Sequence, residues 1–134
     1  MDIILKTDAI CKKFKGQMVV NNLSLEIERN SIYGLLGPNG AGKSTTLKML
    51  AGMLKPASGL IEFNGHKWKR GDLTKTGALI EMPPVYGNLS AEENLEVKRL
   101  VLGLRKKRIK EVLEIVNLTG TGRKKAGNFS MGMK

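Results

Sequence analysis

A glycine-rich stretch constrains the fold of this chain more than any other feature: Gly37-Pro38-Asn39-Gly40-Ala41-Gly42-Lys43-Ser44-Thr45. It fits the pattern G-x-x-x-x-G-K-[ST], in which glycines let backbone N–H groups wrap a polyphosphate. The flanks agree with this pattern, because residues 31–36 read as a short buried strand and residues 43–51 as a helix. Strand, glycine loop and helix in this order predict a phosphate site, and a chance Lys-Ser-Thr after a Gly-rich turn is the weaker interpretation.

Two side chains of this loop have expected roles at a bound phosphate. Lys43 is expected to reach the β- and γ-phosphates, and the Ser44 hydroxyl to hold Mg²⁺. The start of the following helix adds unpaired N–H donors and the positive end of the helix dipole. The sequence therefore predicts a site for the phosphates of a nucleotide.

Composition limits the class of protein. The chain has 134 residues, of which 41% are hydrophobic and 26% charged, which is typical of one globular domain with a real core. Its apolar runs are too short to span a membrane, and the acid-containing N-terminus does not read as a signal peptide. Cys11 is the single cysteine, which excludes an internal disulfide and favours a reducing cytosolic setting.

The net charge of +11 raises the question of an anionic partner. The chain is only 4% aromatic and has no recognisable nucleic-acid motif, so we expect no nucleic acid as a partner. The basic residues fall in different predicted loops, and the simpler interpretation is that they are solvated: Lys12, Lys13 and Lys15; Lys67, Lys69 and Arg70; residues 105–108; residues 123–125.

The segment before the glycine loop predicts an antiparallel ribbon. Residues 2–10 and 18–28 read as strands, and residues 15–17 as the turn between them. Phe14, just before that turn, is either a core residue of the hairpin or a functional aromatic. In the second strand, strict alternation places one set of side chains on the same side: Val19, Asn21, Leu23, Leu25 and Ile27.

Two further strands are predicted after the loop helix. Residues 60–63 form the first, closed by a turn at residues 64–65, and residues 77–80 form the second, just before Glu81 and two prolines. Between them, His66 is expected in a polar exposed loop and Trp68 as a local packing anchor. With no second histidine, His66 predicts no metal site.

The C-terminal part reads as helical. A capping box from Ser90 to Glu93 opens a helix through about Leu102, and an apolar repeat predicts a second helix from about residue 109 to 118. Ser130 stands where a further helix would open.

These features, in this order, resemble the nucleotide-binding domain of an ATP-binding cassette (ABC) transporter. The resemblance covers essentially the whole chain and implies an α/β fold. That fold is a P-loop NTPase with an N-terminal antiparallel β subdomain and a helical insert, truncated after the signature motif. Residues 1–85 would be the β subdomain and P-loop core, and residues 86–134 the helical subdomain.

The resemblance also implies roles for single residues on the nucleotide side. Phe14 matches the aromatic that stacks on adenine, and residues 37–45 bind the phosphates of ATP. Glu81 stands where the family usually has a glutamine that senses Mg²⁺. Its carboxylate can ligate the metal directly, together with Ser44, but it lacks the amide donor.

Residues 129–133 resemble the family signature, usually written Leu-Ser-Gly-Gly-Gln. Two domains of this family pack head to tail, and the match implies that Ser130, Met131 and Gly132 contact the γ-phosphate held by the other domain. Met131, Met133 and Glu81 depart from the usual pattern. These departures resemble ATP-binding subunits that export lantibiotics and related peptide antibiotics, the alternative being an ordinary export ATPase with a drifted loop.

The implied function is that of an exporter's ATP-binding subunit, an ATPase that uses ATP and Mg²⁺. Its implied partners are a second nucleotide-binding domain and transmembrane permease subunits, at the cytoplasmic face of the cell membrane. The family's catalytic glutamate and switch histidine would lie beyond Lys134. We therefore expect no catalytic residue in this fragment, ATP binding without turnover, and self-association through exposed apolar edges.

Three alternatives remain open. The chain could be a non-catalytic nucleotide-binding module, or the ABC domain of a soluble nucleic-acid- or ribosome-associated protein. A GTPase or small-molecule kinase is less favoured, because no Asn-Lys-x-Asp is present to read guanine.

Overall fold

A long antiparallel ribbon forms the centre of the N-terminal part of the computed structural model, which describes residues 2–134. Strand β1 spans Ile3–Phe14 and β2 spans Gln17–Glu28. The turn between them consists of Lys15 and Gly16, with φ angles of 47° and 83°. Two successive positive φ angles match the right-handed twist of a two-residue hairpin. The predicted ribbon is confirmed, although β1 continues to Phe14.

One side-chain direction in β2 was predicted wrongly. Asn21 is exposed, whereas its neighbour Val20 is buried. The pairing of β2 with β1 shifts in register beside Asn22, which has a φ of 47°. Such a bulge adds one residue to one strand and moves the next side chains to the opposite face.

The rest of this part adds two strands and two helical segments. These elements are α1 (Lys43–Leu50), β3 (Ser58–Phe63), β4 (His66–Lys67) and a 3₁₀ helix (Arg70–Lys75). The sheet has the order β2-β1-β3-β4, and all neighbours are antiparallel.

Helix α1 packs on the sheet through one apolar cluster. Ile10, Val20, Met49 and Ile61 are buried in it, and Trp68 packs against it, which confirms Trp68 as a packing anchor. Leu47 of α1 is exposed. This cluster fixes the helix that follows the glycine loop.

His66 does not lie in an exposed loop as predicted. It is half-buried in β4, and its Nε2 lies 3.1 Å from Oδ1 of the buried Asp72. Asp72 also accepts a hydrogen bond from the backbone N–H of Lys69 at 2.9 Å. These contacts close the short β4 onto the 3₁₀ helix.

The strands predicted at residues 31–36 and 77–80 are wrong for this structure. Ile32 is fully exposed, and Leu36 and Leu79 are largely so. Within residues 2–134 neither segment is hydrogen-bonded into the sheet. An extended segment becomes a strand only when a neighbouring strand satisfies its backbone groups.

The chain divides into two compact units, Met1–Glu81 and Met82–Lys134, whereas the sequence placed the division at residue 85. The second unit contains α2 (Ala91–Leu102), α3 (Lys107–Ile115) and three short 3₁₀ helices: Thr119–Thr121, Ala126–Asn128 and Met131–Met133. Its apolar cluster is built on Ala91, Ala126 and Phe129. No helix within residues 2–134 is long and apolar enough to cross a bilayer.

The helix starts of this unit differ in how well the sequence predicted them. The capping box is confirmed: Ser90 Oγ accepts from the Glu93 N–H at 3.2 Å, and Glu93 Oε2 accepts from the Ser90 N–H at 2.7 Å. The helix expected at Ser130 is a single 3₁₀ turn, with Ser130 at its N-cap.

Candidate functional site

The glycine loop is held against the sheet at Gly42, the N-cap of α1. Gly42 has a φ of 85° and a ψ of 9°, a left-handed conformation that side chains disfavour. A Cβ atom placed there would lie 2.5 Å from the Val19 carbonyl oxygen and 3.1 Å from Cγ2 of Val20. The loop therefore reaches α1 only because this position is a glycine.

Gly40 supplies the other sharp turn of the loop. Its φ is 84°, nearly the same as at Gly42, but a Cβ atom there would meet nothing within 4 Å. Ala41 donates its backbone N–H to the Pro38 carbonyl at 3.2 Å, which closes the loop on itself. The loop is exposed from Gly37 to Ala41, so its outer side is open to a ligand.

Lys43 folds back over the loop. Its Nζ donates to the carbonyl oxygens of Gly37 and Pro38, the second at 2.7 Å. The ammonium group is thus held over the loop by backbone carbonyls, which a phosphate oxygen could replace. The two residues that follow Lys43 differ in burial: Ser44 is exposed and Thr45 is half-buried.

Thr46 is a buried polar residue beneath the loop that sequence reasoning did not single out. Its backbone N–H donates to the Gly42 carbonyl at 2.8 Å, the first bond of α1. Thr46, Lys43 and Val20 help line a cavity of about 240 Å³. Thr46 lies outside the sequence motif, so only its burial in the folded structure identifies it.

Phe14 lies at the end of the ribbon and is 44% exposed. Phe14 pairs with Gln17 across the ribbon. Two residues further along β2 is Val19, whose carbonyl oxygen lies close to Gly42 of the glycine loop. The aromatic ring and the glycine loop therefore share one end of the ribbon. The stacking role of Phe14 stays a prediction.

Ser44 and Glu81 are brought to the same side of α1 through a third residue. Lys48, one turn after Ser44, lies with its Nζ 2.8 Å from Oε1 of Glu81. A hydroxyl and a carboxylate are hard oxygen donors of the kind that Mg²⁺ prefers, so both residues fit this metal. To bind the metal, the Glu81 carboxylate must give up its ion pair with Lys48.

In the part of the chain that the structure describes, no group of three or more histidine, cysteine, aspartate or glutamate side chains could hold a metal. Glu81 has a φ of 66°, unusual for a residue other than glycine, so its backbone is locally strained.

The signature-like segment belongs to the second unit. Phe129 is buried in the cluster with Ala126, while Ser130, Met131 and Gly132 are exposed. Phe129 thus anchors the segment and leaves the three following residues accessible. Their contact with a nucleotide of another domain stays a prediction.

Lys12 and Lys48 touch candidate site residues and were missed by sequence reasoning. The Nζ of Lys12 lies 5.5 Å from the centroid of the Phe14 ring, and Lys48 pairs with Glu81. The spacing of Lys12 and Phe14 on one strand was a usable signal, since residues i and i+2 share a face. The Lys48 contact spans 33 positions and has no local signal.

Comparison with known proteins identifies the family of the chain. A family model described as ABC transporter matches residues 20–134. Bacitracin transport ATP-binding protein BcrA of Bacillus licheniformis is 44% identical over 138 residues, covering 100% of this chain and 45% of that protein. Lantibiotic transport ATP-binding protein SrtF of Streptococcus pyogenes is 40% identical, covering 98% of this chain and 57% of that protein. The chain spans about half the length of the curated relatives it matches.

Solved structures give the same fold. A structure described as the ATP binding subunit of an ABC transporter has a TM-score of 0.80 and 28% identity, covering 97% of this chain and 57% of that one. A putative ABC transporter ATP-binding protein from Pyrococcus furiosus has a TM-score of 0.77 and 29% identity, covering 96% of this chain and 64% of that one. The predicted fold is confirmed.

Proposed function

The chain belongs to the ABC transporter family, as its motifs predicted, and we propose that it is part of an ATP-binding subunit that couples ATP binding and hydrolysis to export. The observation that carries this proposal is the geometry of the glycine loop. Gly42 seats the loop on β2, and Lys43 holds its ammonium group over the loop carbonyls. This arrangement places the positive charge of Lys43 on a loop whose residues 37–41 are exposed.

In this proposal each part of the chain acts on a different part of ATP. The N–H groups of residues 37–45 and the start of α1 bind the β- and γ-phosphates, with Lys43 exchanging its carbonyl contacts for phosphate oxygens. Phe14 stacks on the adenine. Bound Mg²⁺ supplies positive charge that offsets the phosphate oxygens, and Ser44 and Glu81 are the residues that would hold it.

The second half of the site is proposed to come from another copy. Ser130, Met131 and Gly132 of one domain would contact the γ-phosphate on the loop of its partner. The exposure of these three residues beside the buried Phe129 supports such a contact. Transmembrane permease subunits at the cytoplasmic face of the membrane would complete the exporter.

The proposed cargo class is peptide antibiotics. Two relatives named for bacitracin and lantibiotic transport are 44% and 40% identical to this chain. Glu81 and Met131, the departures from the usual family pattern, support the same subfamily. The permease subunits would select the individual peptide.

Calorimetric titration of Mg-ATP into the protein tests the nucleotide-binding part of this proposal. We expect binding by the unchanged chain and its loss in Lys43→Ala, because the loop then lacks its ammonium group. Lys110→Ala is the matched control, since Lys110 is an exposed lysine of the second unit and its loss removes the same charge. Equal affinity in Lys43→Ala and the unchanged protein would contradict the proposal.

A further inference from the structure

We propose that Lys12 is a positioning residue for the nucleobase: it holds one face of the Phe14 ring and leaves the other face for the base. This inference rests on the proposed function, because it takes Phe14 as the stacking platform. It adds a residue outside the glycine loop and assigns it to the base rather than to the phosphates.

Lys12 and Phe14 are two positions apart on β1, so their side chains leave the strand on the same face. The Nζ of Lys12 stands over the ring, 5.5 Å from its centroid. This distance lies within the range of about 6 Å in which an ammonium group is attracted to an aromatic face.

The ammonium group of Lys12 is itself anchored. Lys12 Nζ also donates to the carbonyl oxygen of Lys55, in the loop between α1 and β3. Lys12 is half-buried, whereas Phe14 is 44% exposed. The anchored cation therefore covers one face of the ring, and the proposal assigns the other face to the ligand.

A ring held from one side by a fixed cation loses little freedom when a base stacks on its other side. A lone exposed Phe14 at the end of the ribbon would have to be ordered by the ligand. Loss of the Lys12 ammonium is therefore expected to weaken ATP binding about two- to fivefold, the range of an exposed cation–π contact.

The competing explanation is a direct contact of Lys12 with phosphate. ATP and inorganic tripolyphosphate separate the two, since tripolyphosphate has the phosphates but no base. Lys12→Met is expected to raise the dissociation constant for ATP about two- to fivefold and to leave that for tripolyphosphate unchanged. An equal loss for both ligands would overturn the proposal.

Matched variants isolate the ring. Lys13→Met removes the same charge from the neighbouring exposed position, which faces the other side of β1, and is expected to change neither constant. Lys12→Arg is expected to retain ATP affinity, because a guanidinium also stacks on an aromatic face. In a Phe14→Leu background, Lys12→Met is expected to have no further effect, and an undiminished effect there would overturn the proposal.

Failure of the proposed function gives a different result. If Lys43→Ala leaves both ATP and tripolyphosphate binding intact, the glycine loop does not bind phosphate. The Lys12 proposal fails by itself when Lys43→Ala abolishes binding of both ligands and Lys12→Met changes neither.

Discussion

Gly42 and Gly40 form a matched pair that tests how the glycine loop is seated on the sheet. Their φ angles are 85° and 84°, so an alanine at either position carries a similar backbone strain, about 1–2 kcal/mol. The surroundings differ. An alanine Cβ at Gly42 would lie 2.5 Å from the Val19 carbonyl oxygen, whereas at Gly40 it would meet nothing within 4 Å.

The expected destabilisation follows from this difference. Gly40→Ala should lower the free energy of unfolding by about 1 kcal/mol, from the backbone strain alone. Gly42→Ala should lower it by about 3 kcal/mol, because α1 or β2 must also move, as in an overpacked core. The contact with Val19 is backbone, so no side-chain rotation can relieve it.

Denaturant unfolding measures both variants directly. Trp68 is the only tryptophan of the chain and packs against the cluster that joins α1 to the sheet, so its fluorescence reports this unit. Equal destabilisation by Gly40→Ala and Gly42→Ala would mean that the loop is not pressed against β2. Gly40→Ala also serves as the control for general effects of a loop alanine.

Three further predictions concern other parts of the chain. The backbone N–H of Lys69 holds the pKa of the Asp72 carboxyl below its ordinary value of 3.8, so its ionised form stabilises the folded state above that pH. Stability should fall as pH drops below about 4, and Asp72→Asn should make this fall shallower in acid unfolding. Ser90→Ala should cost about 1 kcal/mol by removing the N-cap of α2, measured by the loss of helical circular dichroism on heating, with an unchanged midpoint as the contrary result. Gly52→Ala should displace the ring of Trp68, whose Cζ2 would lie 2.1 Å from the new Cβ, and should red-shift its emission; an unchanged spectrum would count against this packing.

The features that the sequence predicted correctly are those with local causes. The glycine loop is followed by α1 because left-handed glycines and the helix start are adjacent in the chain. The Ser90 capping box closes within four residues, and the ribbon turn at Lys15 and Gly16 closes within two. Such features need no knowledge of the rest of the fold.

The features that the sequence missed depend on distant parts of the chain. Residues 31–36 and 77–80 have apolar patterns typical of strands, but a strand exists only beside a partner. Asn21 was assigned to the wrong side because the bulge at Asn22 is a property of the pairing with β1. Pattern alone does not contain this information.

The candidate site divides in the same way. The residues of the glycine loop were predicted by one contiguous motif. The contacts of the residues around the loop were not predicted, because Lys12 bonds to Lys55 and Lys48 to Glu81 across long stretches of chain. The motif names the residues that are proposed to touch the nucleotide, whereas these two long-range contacts are found only in the folded protein.

In the proposed site, the backbone N–H groups within residues 37–45 bind the phosphates of ATP, except at Pro38, which has no N–H. Amide hydrogen exchange, followed with and without saturating Mg-ATP, measures this binding at the loop itself. We expect slower exchange concentrated in residues 37–45 and the first turn of α1, and no such slowing in Lys43→Ala. Unchanged exchange in this loop while ATP is bound would contradict the proposed site.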